Sequence, residues 1–280
     1  MATVIGGITT SHIPAIGNAI ARRKQEDPYW KPFFDGYGAV RQWLTTAKPD
    51  VAVVVYNDHG LNFFLDQMPT FAVGAAPAYE NRDEGWGLDV LPPVPGHPGL
   101  SWHLIESLVA DEFDIVTCQQ MNVDHGVMVP MQLLWPGSTA WPVPIVPVAV
   151  NTVQHPLPTP KRCLALGRAI GRAIASYADP LDVVIVGTGG MSHQLQGERA
   201  GLINSRFDRM FMDMVVSDPD ALAQLSIHDL VVNAGSEGVE LIMWLVMRGA
   251  LGEQVSKVHS HYHVPVSSTG AGVLVLERAA

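Results

Sequence analysis

Along this 280-residue chain the apolar positions follow two rhythms, and each change of rhythm marks an element boundary. Val51-Ala-Val-Val-Val-Tyr56 is a short unbroken run of β-branched and small apolar residues, the pattern of a strand buried on both faces. Comparable runs at 4–8, 69–74, 114–118, 144–150 and 182–187 predict further strands, with two more near 258–266 and 272–276.

Between these runs the apolar spacing lengthens to three and four residues. Trp30, Phe33, Phe34, Tyr37, Val40 and Trp43 predict one helix over 29–46, even with Pro32 in its first turn. Trp102, Ile105, Leu108 and Val109 mark one face of a helix over 98–111. Residues 125–135 and 163–177 read the same way, and 207–250 is mainly helical. Segment 75–98, rich in proline and glycine, predicts an ordered surface loop of the kind that borders a site. Strands alternating with helices predict an α/β fold: a single domain over 1–280, with a central mixed sheet flanked by helices. In such sheets ligands gather beyond the carboxyl ends of the strands.

Composition narrows the function classes. A chain that is 48% hydrophobic and 16% charged is ordinary globular material. A net charge of -10, a pI near 5.5 and the lack of a basic run argue against nucleic acid as a partner. Cys118 and Cys163 lie far apart without metal-ligand spacing, which fits a reducing cytoplasm. No apolar run approaches the roughly 20 residues of a membrane span, and the start of the chain lacks a signal-peptide pattern. Neither secretion nor membrane insertion is expected.

The chemistry lies where the strands end. Val51–Tyr56 runs into Asn57, Asp58 and His59, and the opening strand runs into Thr9-Thr-Ser-His12. His125 and His193 follow two later predicted strands in the same manner. One such histidine has an ordinary role as a hydrogen-bonded group; four in the same placement point to a shared site. A carboxylate for that site is offered by Ser236-Glu237-Gly-Val-Glu240-Leu-Ile-Met-Trp-Leu-Val-Met247, a predicted helix that is apolar nearly all round. Glu237 has a role at the helix N-terminus. Glu240 falls among Val239, Met243 and Met247, where a lone carboxylate is costly without a cation or a donor. Two histidines and one carboxylate suit either a non-haem Fe(II) centre or a catalytic zinc.

Six motifs in this order carry a resemblance over nearly the whole chain: Gly7-Ile-Thr-Thr-Ser-His12-Ile-Pro14, Tyr56-Asn-Asp-His59, Asp83-Glu-Gly-Trp-Gly87, Val123-Asp-His125-Gly126, Gly187-Thr-Gly-Gly-Met-Ser-His193-Gln-Leu-Gln-Gly197 and Gly235-Ser-Glu-Gly-Val-Glu240-Leu. Together they resemble the catalytic β subunits of the protocatechuate 4,5-dioxygenase family, type III extradiol ring-cleaving enzymes. The resemblance implies Fe(II) held by His12, His59 and Glu240, with His193 as acid/base residue and His125 as a second polar group beside substrate and dioxygen. Asn57 would orient the site next to the substrate. It also implies a catechol-type substrate, dioxygen as co-substrate, and a small helical α subunit supplied as a separate chain.

Ser267 and Ser268, in the loop 264–270, resemble the family segment that binds the ring carboxylate through hydroxyls and backbone N–H groups. The family pattern carries an amide residue where Ser268 stands. Protocatechuate is therefore expected first, with gallate or another carboxylated catechol as the alternative. A zinc-dependent hydrolase and a non-enzymatic binding protein are the rival functions for the same fold. His97, His103, His155 and His228 are expected in solvated or structural roles. His259, His261 and His263 alternate as one face of an edge strand does.

Overall fold

The computed structural model describes residues 1–137, 140–265 and 267–278. In chain order its first half contains β1 (Thr3–Thr10), α1 (Pro14–Ala21), α2 (Lys31–Asp35), α3 (Gly38–Ala47), β2 (Val51–Tyr56), β3 (Phe71–Gly74), β4 (Ala78–Tyr79), β5 (Val94–Pro95), α4 (Pro98–Ala110), β6 (Val116–Cys118) and α5 (His125–Leu134). The second half contains β7 (Ile145–Val150), α6 (Pro160–Ser176), β8 (Asp182–Thr188), α7 (Ser205–Ser217), α8 (Pro219–Leu222), α9 (Ile227–Ala234), a 3₁₀ turn (Glu237–Glu240), α10 (Leu241–Ala250), β9 (Val255–His263) and β10 (Ala271–Arg278).

Among the described residues, eight strands form one mixed sheet in the order β6-β3-β7-β2-β8-β1-β10-β9. β7, β2, β8 and β1 run parallel at its centre, and antiparallel pairs lie towards both edges. This is the α/β fold with a central mixed sheet that the alternating pattern predicts. Successive side chains of a strand point to opposite faces, and β2 shows what that requires here. Val51, Val53 and Val55 enter a core with α4, α6, α7 and α10, whereas Ala52, Val54 and Tyr56 enter a second core with α1, α2, α3 and α5. Burial on both faces is why β2 reads as an unbroken apolar run. Each fully buried valine of this kind contributes about 1.5–3 kcal/mol.

Four local features differ from the sequence expectation. The helix expected over 29–46 is two, α2 and α3, separated at Gly36 and Tyr37. A Cβ at Gly36 would collide with the His261 ring, and His259 Nε2 donates to the Gly36 carbonyl at 2.7 Å. That close approach to β9 sets the break. The loop 75–98 contains the short β4–β5 pair. On α4 the buried face is Leu100, Ser101, Leu104, Ile105 and Leu108, so Trp102 and Val109 point outward instead. The predicted helix carrying Glu240 is a 3₁₀ turn followed by α10, with Glu240 at the junction. β9 is an edge strand, as the alternating histidines suggest, while Val266 of the predicted run lies outside the described residues.

Helices α6 and α10 cross at glycines. A Cβ on Gly167 would run into the Val246 carbonyl, and one on Gly171 would sit 2.6 Å from the Ala250 carbonyl oxygen. Neither carbonyl is a flexible group that can swing aside. Gly167→Ala is therefore expected to lower folding stability by about 1–3 kcal/mol through overpacking, read as a lower midpoint in urea denaturation.

Candidate metal centre

The parallel register of β2, β8 and β1 brings three carboxyl ends to one edge of the sheet. His12 follows β1, His59 follows β2 and His193 follows β8. The His12 and His59 ring centroids are 5.1 Å apart. His125 joins them at 5.4 Å from His12 and 3.9 Å from His59, but by a different route from the one expected. β6 is parallel to β3, which is antiparallel to β7, so the carboxyl end of β6 points away from this edge. His125 is delivered instead by the first residue of α5.

Each ring is held through Nδ1. His12 Nδ1 lies 3.0 Å from Thr188 Oγ1, at the end of the neighbouring β8. His59 Nδ1 meets the Asp124 carboxylate at 3.1 Å, and the same oxygen accepts the His59 backbone N–H at 2.7 Å. His125 Nδ1 pairs with Glu84. His193 Nδ1 is 2.8 Å from the Met191 carbonyl oxygen, which can only accept, so the proton sits on Nδ1 and the Nε2 lone pair is free. The Nε2 atoms of His12, His125 and His193 are thereby left for the site. His59 Nε2 accepts from Asn57 Nδ2 at 3.0 Å.

Glu240 is 6% exposed and closes the group from the far side. Its Oε2 accepts the Gly190 N–H at 2.6 Å and lies 3.3 Å from His12 Nε2 and 3.9 Å from His193 Nε2. Burial alone would push this carboxyl up; His12, with His193 and His59, overrides it and holds the group at about 2. Burial likewise pulls the His59 imidazole down, and the Asp124, Glu240 and Asp58 carboxylates outweigh it, so the net shift is upward. Burial beside His59 and His12 pushes His125 well below the ordinary imidazole range, so it meets Glu84 as a neutral donor.

The donor chemistry fits a divalent transition metal. His12, His59 and His125 each offer a ligand atom within 4.8 Å of the others, and Glu240 supplies a carboxylate whose burial calls for a cation. His59, Glu84 and Asp124 form a second group within the same distance, and Glu240 stands beside His12.

A cavity of about 360 Å³ opens over these groups, lined by His12, His59, His125, His193, Glu240, Trp86, Asn18, Ser267 and Thr269 among others. Ser267 Oγ is buried there without a partner. Ser268 does not line the cavity; it sits at φ 45° on the turn beyond, and Asn57 lies beneath His59 rather than at the cavity wall. A larger cleft, 620 Å³, lies between α6 and α10 and is lined by arginines without any histidine, so volume does not mark the chemistry.

Three holders were not singled out from the sequence. Asp124 and Glu84 each stand beside a quoted motif residue, in Val123-Asp-His125 and Asp83-Glu-Gly-Trp, which is the signal that could have found them. Thr188 had no such signal beyond its place at the end of a strand. Asp58 accepts backbone N–H groups from Gly60, Leu61, Asn62 and Phe63 and so shapes the loop that follows.

Fold and site together define an α/β protein with a buried histidine and carboxylate centre at the ends of parallel strands. The chain belongs to the family described as the catalytic LigB subunit of aromatic ring-opening dioxygenase, which matches residues 6–273. A gallate dioxygenase of Pseudomonas putida is 46% identical over 195 residues, 70% of this chain and 57% of that protein; the match thus spans little more than half of that longer relative. A 2,3-dihydroxyphenylpropionate/2,3-dihydroxicinnamic acid 1,2-dioxygenase of Photorhabdus laumondii is 26% identical and is matched nearly end to end, over 96% of this chain and 95% of its own. An uncharacterized protein from Escherichia coli K12 has the same fold, with a TM-score of 0.61 at 14% identity over 97% of this chain and 99% of its own.

Asp124 holds the His59 N–H, the His59 ring and the Gly126 N–H at once from a fully buried position. Asp124→Ala should cost about 2–4 kcal/mol of stability, because it leaves those donors unpaired, measured by urea denaturation with a chelator present to remove any metal contribution.

Proposed function

We propose that this chain carries out Fe(II)-dependent extradiol cleavage of a carboxylated catechol with dioxygen, giving a muconate semialdehyde. The observation that carries this reading is the convergence of four histidine rings and the buried Glu240 carboxylate on one cavity in a chain of the ring-opening dioxygenase family. His12, His59 and Glu240 are the proposed ligands. When bound, Fe(II) supplies the electron transfer that lets a closed-shell catechol react with dioxygen.

The chain's own residues do the rest. His193, with its proton fixed on Nδ1 and a free lone pair on Nε2 at the cavity wall, takes the proton of a substrate hydroxyl and later returns it. His125, neutral and tied back to Glu84, is the second polar group beside the reacting oxygens. The unpartnered Ser267 hydroxyl faces the same cavity and offers a donor to the ring carboxylate. Trp86, Pro14 and Ala15 supply apolar wall for the ring. Protocatechuate follows from the motif resemblance, whereas likeness to a gallate dioxygenase favours the trihydroxy analogue.

A separate helical partner is part of the same proposal. Phe64, Leu65, Trp86, Val153 and Leu195 are large apolar residues, 49–66% exposed, gathered around one groove that adjoins His59. Apolar side chains grouped at the mouth of a site are the usual mark of a surface that is covered.

Full-length protein reconstituted anaerobically with Fe(II) should consume oxygen and form a yellow semialdehyde from protocatechuate or gallate. Absence of oxygen uptake across a catechol panel, with iron retained and with a candidate small partner added, would rule the reading out. Roles within the site separate by variant. His59→Ala and Glu240→Ala are expected to lose iron, while His193→Ala keeps iron and turns over about 100-fold or more slowly. Metal analysis beside steady-state kinetics checks this; loss of iron from His193→Ala would show the division of roles to be wrong.

A further inference from the structure

The residue before His193 is anchored by a carboxylate that the proposed chemistry does not use. Asp208, in the first turn of α7, is 0% exposed. An acidic side chain there would ordinarily serve its own helix terminus, yet this one turns away to another segment. Its Oδ1 accepts the Ser192 backbone N–H at 2.9 Å, and its Oδ2 accepts the Ser192 hydroxyl at 2.7 Å. Oδ2 also accepts the Tyr262 hydroxyl from β9 at 2.7 Å. The Ser192 hydroxyl in turn accepts the Asn204 N–H at 2.8 Å, so both of its hydrogen-bonding directions are taken.

These bonds bear on two walls of the cavity together. Met191 N–H donates to the Gly270 carbonyl, and Gly270 N–H donates back to the Ser192 carbonyl, each at 2.9 Å. The segment 191–193 is thus laced to the turn that carries Ser267 and Thr269, and His193 forms a bridge with Thr269. A Cβ on Gly270 would come within 2.5 Å of Asp208 Oδ2, so the glycine is what lets the two walls close on the carboxylate. The Met191 carbonyl that fixes the His193 tautomer belongs to the same segment. Full burial of an ionisable group held by two hydroxyls and one amide is costly, and nothing about α7 alone requires it.

We infer that Asp208 is a positioning residue: through Ser192 and Tyr262 it sets the place of the His193 imidazole and of the Ser267–Thr269 turn against it. It does not line the cavity and bonds to no proposed metal ligand; this inference rests on the proposed function only for its kinetic consequence.

The test is Asp208→Asn, which keeps the volume and one acceptor oxygen but can no longer accept from the Ser192 N–H and from the two hydroxyls at once, since they bond different oxygens of the carboxylate. In the iron-loaded full chain, iron content should match wild type and KM for the preferred catechol should stay within about twofold, while kcat falls about tenfold or more, the scale of a displaced catalytic group. Independently of turnover, hydrogen exchange of the peptide covering residues 190–194 should accelerate about tenfold, with peptides of α4 unchanged. A kcat within twofold of wild type, unchanged exchange at 190–194, or activity lost only in proportion to iron would each overturn the inference. If Asp208→Asn does not fold, Tyr262→Phe removes one donor from the cell of bonds and should show a smaller fall in kcat and faster exchange over the same residues; no change in either refutes the role. Should wild type consume no oxygen with any catechol, the proposed function fails, and the exchange measurement alone decides the positioning.

Discussion

The site depends on the parallel alignment of β2, β8 and β1. Hydrogen bonding between neighbouring parallel strands fixes where each one ends, and these three end together. A histidine placed two to five residues beyond each end is then within reach of the others without any long side chain or special loop. The apolar runs that form the strands are buried on both faces, so their register is costly to change. Rigid backbone up to the last strand residue is what allows imidazoles, which have little reach of their own, to share one small volume.

On that frame the four histidines are distinguished by what stands behind them. All four are held through Nδ1, but by a hydroxyl, two carboxylates and a carbonyl. A carboxylate behind an imidazole raises its basicity and suits it to a cation, which is the situation of His59 with Asp124. A carbonyl only fixes the tautomer. His193 thus has its Nδ1 proton fixed while its ring faces the cavity. His125 is the intermediate case, since its carboxylate partner is opposed by burial and by two neighbouring rings.

The strands were legible because burial on both faces leaves short apolar runs, rich in β-branched residues and bounded by polar, glycine or proline positions. Glu240 was legible for the complementary reason: a carboxylate among residues that all read as core has to have partners. The route of His125 was not legible, because strand direction is not written in an apolar run, and β6 turns out to run against the central strands. The break between α2 and α3 was hidden likewise, since it is set by His259 and His261 more than two hundred residues away. Glu84 and Asp124 lay within motifs whose histidine or glycine drew the attention. Ser268 was hidden for another reason: the backbone turns at its positive φ, and its neighbours Ser267 and Thr269 line the cavity where it does not.

Glu240 illustrates why the centre cannot be understood from its polar side-chain atoms alone. Its carboxylate is buried at the junction of a 3₁₀ turn and a helix in which every residue from Leu241 to Ala250 is buried. Such a helix cannot shift to relieve a badly placed charge, because its packing against α6 runs through glycines with no slack. The charge must therefore be met where it stands, by the Gly190 N–H on one side and by the His12 ring on the other. Gly190 is held by the same turn that leads to Ser192 and His193. The apolar packing of α10, the backbone of the glycine turn and the electrostatics of the histidine group thus constrain one another, and a cation bound among them would enter a site whose geometry is set before it arrives.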